Sequence, residues 1–107
     1  MYLSAYHFNG DPTELTAAYE RMMSHFPADS LADTLLLQVF AVGETGVTVI
    51  EACPDKATHE QFVVRPEFRG ALVQAGLPEP RVEVLGDVAH AFVRPDAVTL
   101  VGSTVTA

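Results

Sequence analysis

The 107-residue chain is short of thiols, of basic residues and of long apolar runs, and it has no tryptophan. Its single cysteine, Cys53, excludes an intrachain disulfide and any multi-thiolate metal site within one chain. That fits a reducing compartment. Six Lys and Arg residues stand against 14 Asp and Glu, a formal charge of -8. A polyanion would be repelled over most of such a surface, so neither nucleic acid nor an anionic membrane is an expected partner. No apolar stretch approaches the ~18–20 residues that a membrane span requires. The opening MYLSAYHF lacks the basic n-region and long apolar h-region of a signal peptide, which makes the cytoplasm the expected location. There is no GxSxG, Walker-type loop or GxGxxG, so hydrolase, nucleotide and dinucleotide readings have no support. The four histidines form no i,i+4 or HxH pair, and no metal or other cofactor is expected.

What is present is a chain 49% hydrophobic and 19% charged, the balance of one ordered domain. MYLSAYHF, before Asn9-Gly10, predicts a strand ending in a turn. DPTELTAAYERMMSHFP predicts a helix with Asp11 as N-cap, Pro12 in its first turn and Pro27 as its stop. Leu15, Ala18, Tyr19, Met22 and Phe26 make its apolar stripe, which reads as core packing rather than a cofactor box. TLLLQVFAV and VTVIEAC, joined by GETG, predict a hairpin. PDKATHEQFVV predicts a second helix capped by Asp55. Arg65-Pro66 interrupts it, and PEFRGALVQAG resumes for a turn or two before Gly76 and Pro78. PRVEVLGDVAHAFV predicts a fourth strand with a bulge or bend at Gly86. The expected domain covers residues 1–93, and the β-branched tail 94–107 is expected to add a strand, to this sheet or to a partner's.

The order β-α-β-β-α-β is the α+β, ferredoxin-like arrangement: an antiparallel sheet with both helices on one face. Two such sheets packed face to face would hide both open faces and leave a cavity between them.

VTVIEACPDKATHEQFVVRPEFRGAL resembles the segment of the dimeric α+β-barrel superfamily that runs strand, Glu, polar turn, helix and short sPeF helix. The named relatives are the antibiotic-biosynthesis-monooxygenase-like proteins, and the resemblance spans residues 1–93. It implies a homodimer with a small-molecule pocket in each protomer. In that family the strand commonly reads Glu-x-Trp, where this chain has Glu51-Ala52-Cys53. The missing tryptophan counts against monooxygenase and haem-degrading activities.

Alternation places Val47, Val49, Glu51 and Cys53 on one face of their strand. If Glu51 faces the cavity, partial burial suits it to proton transfer; otherwise it is solvated, or paired with Arg65 or Arg69. His7 and Tyr6 point to opposite faces, so one of them borders the cavity, where a histidine can serve as a base. Gln38 is a buried-strand amide that needs partners; it can orient a ligand, but a backbone or cross-strand contact is the expected one. His90 on the last strand can approach the cavity mouth or a partner chain. His59 is expected at the surface, His25 at the end of the first helix, and Cys53 as a small buried hydrophobe.

Two functions fit. One is a cofactor-independent enzyme of oxygenase, isomerase or cyclase type acting on a hydrophobic or aromatic metabolite. In it Glu51 and His7 handle protons, and Tyr6, Gln38 and His90 contact the substrate. The other is a non-catalytic dimeric module that binds a small ligand or a protein partner.

Overall fold

Strand β1 (Tyr2–Asn9) opens the chain in the computed structural model, which describes residues 1–25 and 34–97. Helix α1 (Pro12–Met23) follows a turn in which the Gly10 N–H donates to the Thr45 carbonyl at 3.1 Å. Asp11 Oδ1 accepts the Glu14 N–H at 3.0 Å, so the expected cap forms and satisfies one of the helix's orphan donors. The buried stripe is Leu15, Ala18, Tyr19 and Met22. Phe26 and the expected stop at Pro27 lie outside the described residues, as does the loop that follows.

Strands β2 (Leu37–Val42) and β3 (Gly46–Cys53) form the expected hairpin, closed by the Gly43 N–H on the Gly46 carbonyl at 2.9 Å. Gly46 is sterically required: a Cβ there would lie 2.1 Å from the Phe8 carbonyl oxygen of β1. Helix α2 (Lys56–Val63) starts at Asp55, whose Oδ1 accepts both the N–H and the hydroxyl of Thr58 at 2.8 Å. Pro66 then ends one helix and starts another, since its ring forbids continuation but suits a first turn. Helix α3 (Pro66–Ala75) runs for ten residues, longer than the turn or two expected, and closes on Gly76 in the left-handed region at φ 84°.

Strand β4 (Arg81–Asp87) stops well short of the expected Val93. The reason is its partner. β1 begins at Tyr2, opposite Asp87, and the Val88 N–H on the Met1 carbonyl at 2.9 Å is the last link. The described residues beyond it pair with no strand, which leaves His90 exposed outside the sheet. Gly86, at φ 110°, does sit at a bulge, where the register with β1 slips between Leu3 and Ser4.

The sheet order is β2-β3-β1-β4, antiparallel throughout, which is the α+β, ferredoxin-like topology. The core lies between one face and the helices: Tyr6, Phe8, Val47 and Val49 against Leu15, Ala18, Tyr19, Met22 and Leu72. The opposite face, carrying Leu3, His7, Leu37, Val39 and Ile50, has no described helix over it, and Leu37 and Val39 are each 44% exposed. Of the tail, Arg94–Ala97 forms a turn, and the strand expected later in it lies outside the described residues. No described helix is long and apolar enough to cross a membrane.

Candidate functional site

Register places Ser4, Glu51 and Gln38 side by side across β1, β3 and β2, all on the helix-covered face. Glu51 is therefore not released into water at the end of its strand. Ala52 and Cys53 continue β3 past it, and its exposure is 4%. Oε1 accepts the Gln38 Nε2–H at 3.1 Å, whereas Oε2 is buried with no hydrogen-bond partner among the described residues. Among the described residues no Lys or Arg forms an ion pair with this carboxylate, Arg65 and Arg69 included. Burial pushes its pKa up to about 7, against the opposing pull of the Gln38 hydrogen bond. A carboxylate in that range holds and releases protons near neutrality.

Glu51 lines a cavity of about 180 Å³ between the sheet and the helices. The site lies between the layers of the single chain, not between two sheets as expected. Tyr6 and Phe8 come from β1, Gln38 from β2 and Val49 from β3. α1 supplies Tyr19 and Met22, and α2 and α3 supply Phe62, Phe68 and Leu72; the exposed Arg65 and Glu67 also border it. An apolar cavity of roughly 150 Å³ accepts a benzene ring, so this space suits a small aromatic or alicyclic molecule. The phenols of Tyr6 and Tyr19 join Glu51 there, their hydroxyls buried and without hydrogen-bond partners among the described residues. Burial, then the Glu51 charge, raises both phenols above their ordinary pKa and keeps them protonated as donors.

Of the sequence candidates, the fold brings together Glu51, Tyr6 and Gln38. His7 lies on the opposite, open face, where Nδ1 meets Thr48 Oγ1 at 3.0 Å and Nε2 meets Glu83 Oε1 at 2.8 Å. Strand alternation thus separates it from Glu51, and the two cannot share a proton. His90, beyond β4, does not reach the cavity. His59 corrects another expectation: it is 4% exposed, packed with its ring centroid 5.4 Å from that of Tyr2 and 6.5 Å from that of Tyr6. Burial lowers its pKa and favours the neutral imidazole. Cys53 is buried as expected, and burial, with the charges of Glu51 and Asp55, holds its thiol protonated. Tyr19 was absent from the candidates because its helical spacing marks it as core. It is core, its ring stacked on Phe40 at 4.5 Å, yet its hydroxyl is a polar atom on that stripe and needs a partner. Among the described residues no group of three or more His, Cys, Asp or Glu is placed to hold a metal ion.

No family model and no curated protein matches the sequence. Solved structures do match the fold. One is a Deinococcus radiodurans protein proposed to be an antibiotic biosynthesis monooxygenase. It superposes with a TM-score of 0.62 at 12% identity, over 88% of this chain and 98% of that one. Another is a single-residue variant of SnoaB, a cofactor-independent oxygenase from Streptomyces nogalater. It superposes with a TM-score of 0.55 at 12% identity, over 86% of this chain and 93% of that one. The chain shares the α+β, ferredoxin-like fold of these two structures, the fold that the segment from Val47 to Leu72 led us to expect.

Proposed function

We propose that the protein binds a small, mainly apolar molecule of one or two rings and that Glu51 takes a proton from it without a cofactor. The observation that carries this reading is the Glu51 carboxylate itself, with Oε1 held by Gln38 and Oε2 buried beside two unpartnered phenols. In an enolisable ketone the C–H bond next to the carbonyl breaks. Its electron pair becomes the enolate, and its proton passes to Oε2. Tyr6 and Tyr19 donate to the oxygen on which the charge grows, the arrangement that favours a transition state over its ground state. The same base can deprotonate a phenol, a first step open to oxygenase, isomerase and cyclase chemistry alike. SnoaB, a cofactor-independent oxygenase of the same fold, fits this reading. His7, on the outer face, is left to assembly: we read that face as covered by a second copy of the chain, a homodimer.

The test uses 2-tetralone, a bicyclic ketone, in deuterium oxide. Exchange of its α-hydrogens, followed by NMR, should be accelerated by the protein, rise with pH through about 7 as Glu51 ionises, and vanish in Glu51→Gln. Binding without exchange would favour the non-catalytic, ligand-holding reading. Absence of binding, extended to small phenols, would overturn the small-molecule site.

A further inference from the structure

The Glu51 carboxylate is buried, and among the described residues no Lys or Arg forms an ion pair with it. Above about pH 7 the fold therefore holds a negative charge that is already out of water and has no counter-charge. Five aromatic side chains line the same cavity: Tyr6, Phe8, Tyr19, Phe62 and Phe68. An aromatic face attracts a cation, the more so where water is excluded. Three oxygens of the lining residues are buried with no hydrogen-bond partner among the described residues: Glu51 Oε2, Tyr6 Oη and Tyr19 Oη. A ketone answers the two phenol protons but leaves the ionised carboxylate without a counter-charge.

We infer that the cavity also takes a primary ammonium ion carried on a short aryl-alkyl chain, with Glu51 as its counter-ion. The inference goes beyond the proposed proton transfer and shares only the cavity with it. A primary ammonium has three N–H donors, and Oε2 with the two phenol oxygens offers three acceptors. The ring is left to the apolar lining, Met22 and Met23 included, and a volume of about 180 Å³ suits one ring and a short chain. Taking an ammonium out of water is costly. Pairing it with a carboxylate that folding has already buried offsets that cost. The formal charge of -8 also draws cations to the protein in preference to anions. The neighbouring ionisable groups do not neutralise Glu51. Tyr6 on β1, Tyr19 on α1 and Cys53 on β3 are held protonated by burial, and His59 on α2 is kept neutral. Arg65 and Glu67, at the border, are exposed and opposite in sign. A bound ammonium and a proton compete for the same carboxylate, so this ligand class inhibits any reaction in which Glu51 takes a proton.

The probes are 2-phenylethylammonium and its neutral isostere 2-phenylethanol, with binding measured by calorimetry. At about pH 8 Glu51 is mostly ionised, and the ammonium keeps its proton as a lysine does below about 10.4. The ammonium should then bind at least about tenfold more tightly than the alcohol. That preference should shrink at about pH 5.5, and at about pH 6 binding should release about one proton as the carboxyl ionises. Glu51→Gln should bind the two probes alike. No ammonium binding, equal affinities at about pH 8, a preference indifferent to pH, or one that survives Glu51→Gln would each overturn the inference. The pH comparison uses the unaltered protein, so it decides the matter even if the variant fails to fold. 2-Tetralone separates this inference from the proposed function. Exchange of the ketone without ammonium binding removes the ammonium site alone, and ammonium binding without exchange removes the proton transfer alone.

Discussion

Gln38 and Glu51 are direct cross-strand partners, and the amide of one holds Oε1 of the other at 3.1 Å. That single contact divides the carboxylate into a tethered oxygen and a free one. It also fixes what changes at either residue should do.

Glu51→Gln should stabilise the protein at alkaline pH and leave it unchanged in acid. The folded state raises this carboxyl from 4.5 to about 7, so it binds more protons than the unfolded state between those values. Stability from the protonated form is complete below about pH 4.5 and is lost as pH rises through about 7. The loss is about 3 kcal/mol, at 1.36 kcal/mol per pH unit. Thermal melts at pH 4.5 and 8 should show the variant level with the parent in acid. In base it should melt about 10 °C or more higher. Parallel curves would remove the buried-carboxylate account.

Gln38→Leu should push the Glu51 titration further up, because the amide hydrogen bond is the influence that favours the charged form. Carboxyl carbon-13 shifts followed against pH would report it directly. A midpoint unmoved or lowered would mean that the amide does not act on Glu51.

Gly46→Ala should cost several kcal/mol, on the order of 3–4, the range reserved for backbone clashes and lost core packing. The added methyl would have to displace the Phe8 carbonyl, and with it the end of the β1–β3 pairing. Urea unfolding would measure the change, and a loss under ~1 kcal/mol would show that the hairpin end adjusts freely.

Much of this was legible before any coordinates. Asp11-Pro12, Asp55, Pro66 and Gly76 punctuate the helices through local chemistry, which a sequence displays. Alternation likewise put Val47, Val49, Glu51 and Cys53 on one face. What alternation cannot say is which face the helices cover, and that decided the fate of Glu51 and His7. His59 was misread because the groups that enclose it, Tyr2 and Tyr6, lie more than fifty positions away in the chain. The overlong β4 failed for a similar reason: its end is set by where β1 starts. Tyr19 was hidden by its own correct reading as core.

Val39→Glu should abolish self-association while preserving the fold. Val39 is 44% exposed on the uncovered face, paired with Ile50, so a carboxylate there is tolerated in water and costly under a second copy. Sedimentation should give a dimer for the parent and a monomer for the variant, with equal far-ultraviolet circular dichroism. A parent that sediments as a monomer would remove the homodimer proposal.

The two faces of the sheet meet in one peptide bond. Tyr6 belongs to the cavity, and His7, its immediate neighbour, bridges Thr48 on one side and Glu83 on the other. The His7 ring thereby clasps β3 to β4 over the central strand on the face away from the cavity, a side-chain tie laid across the backbone ladder beneath it.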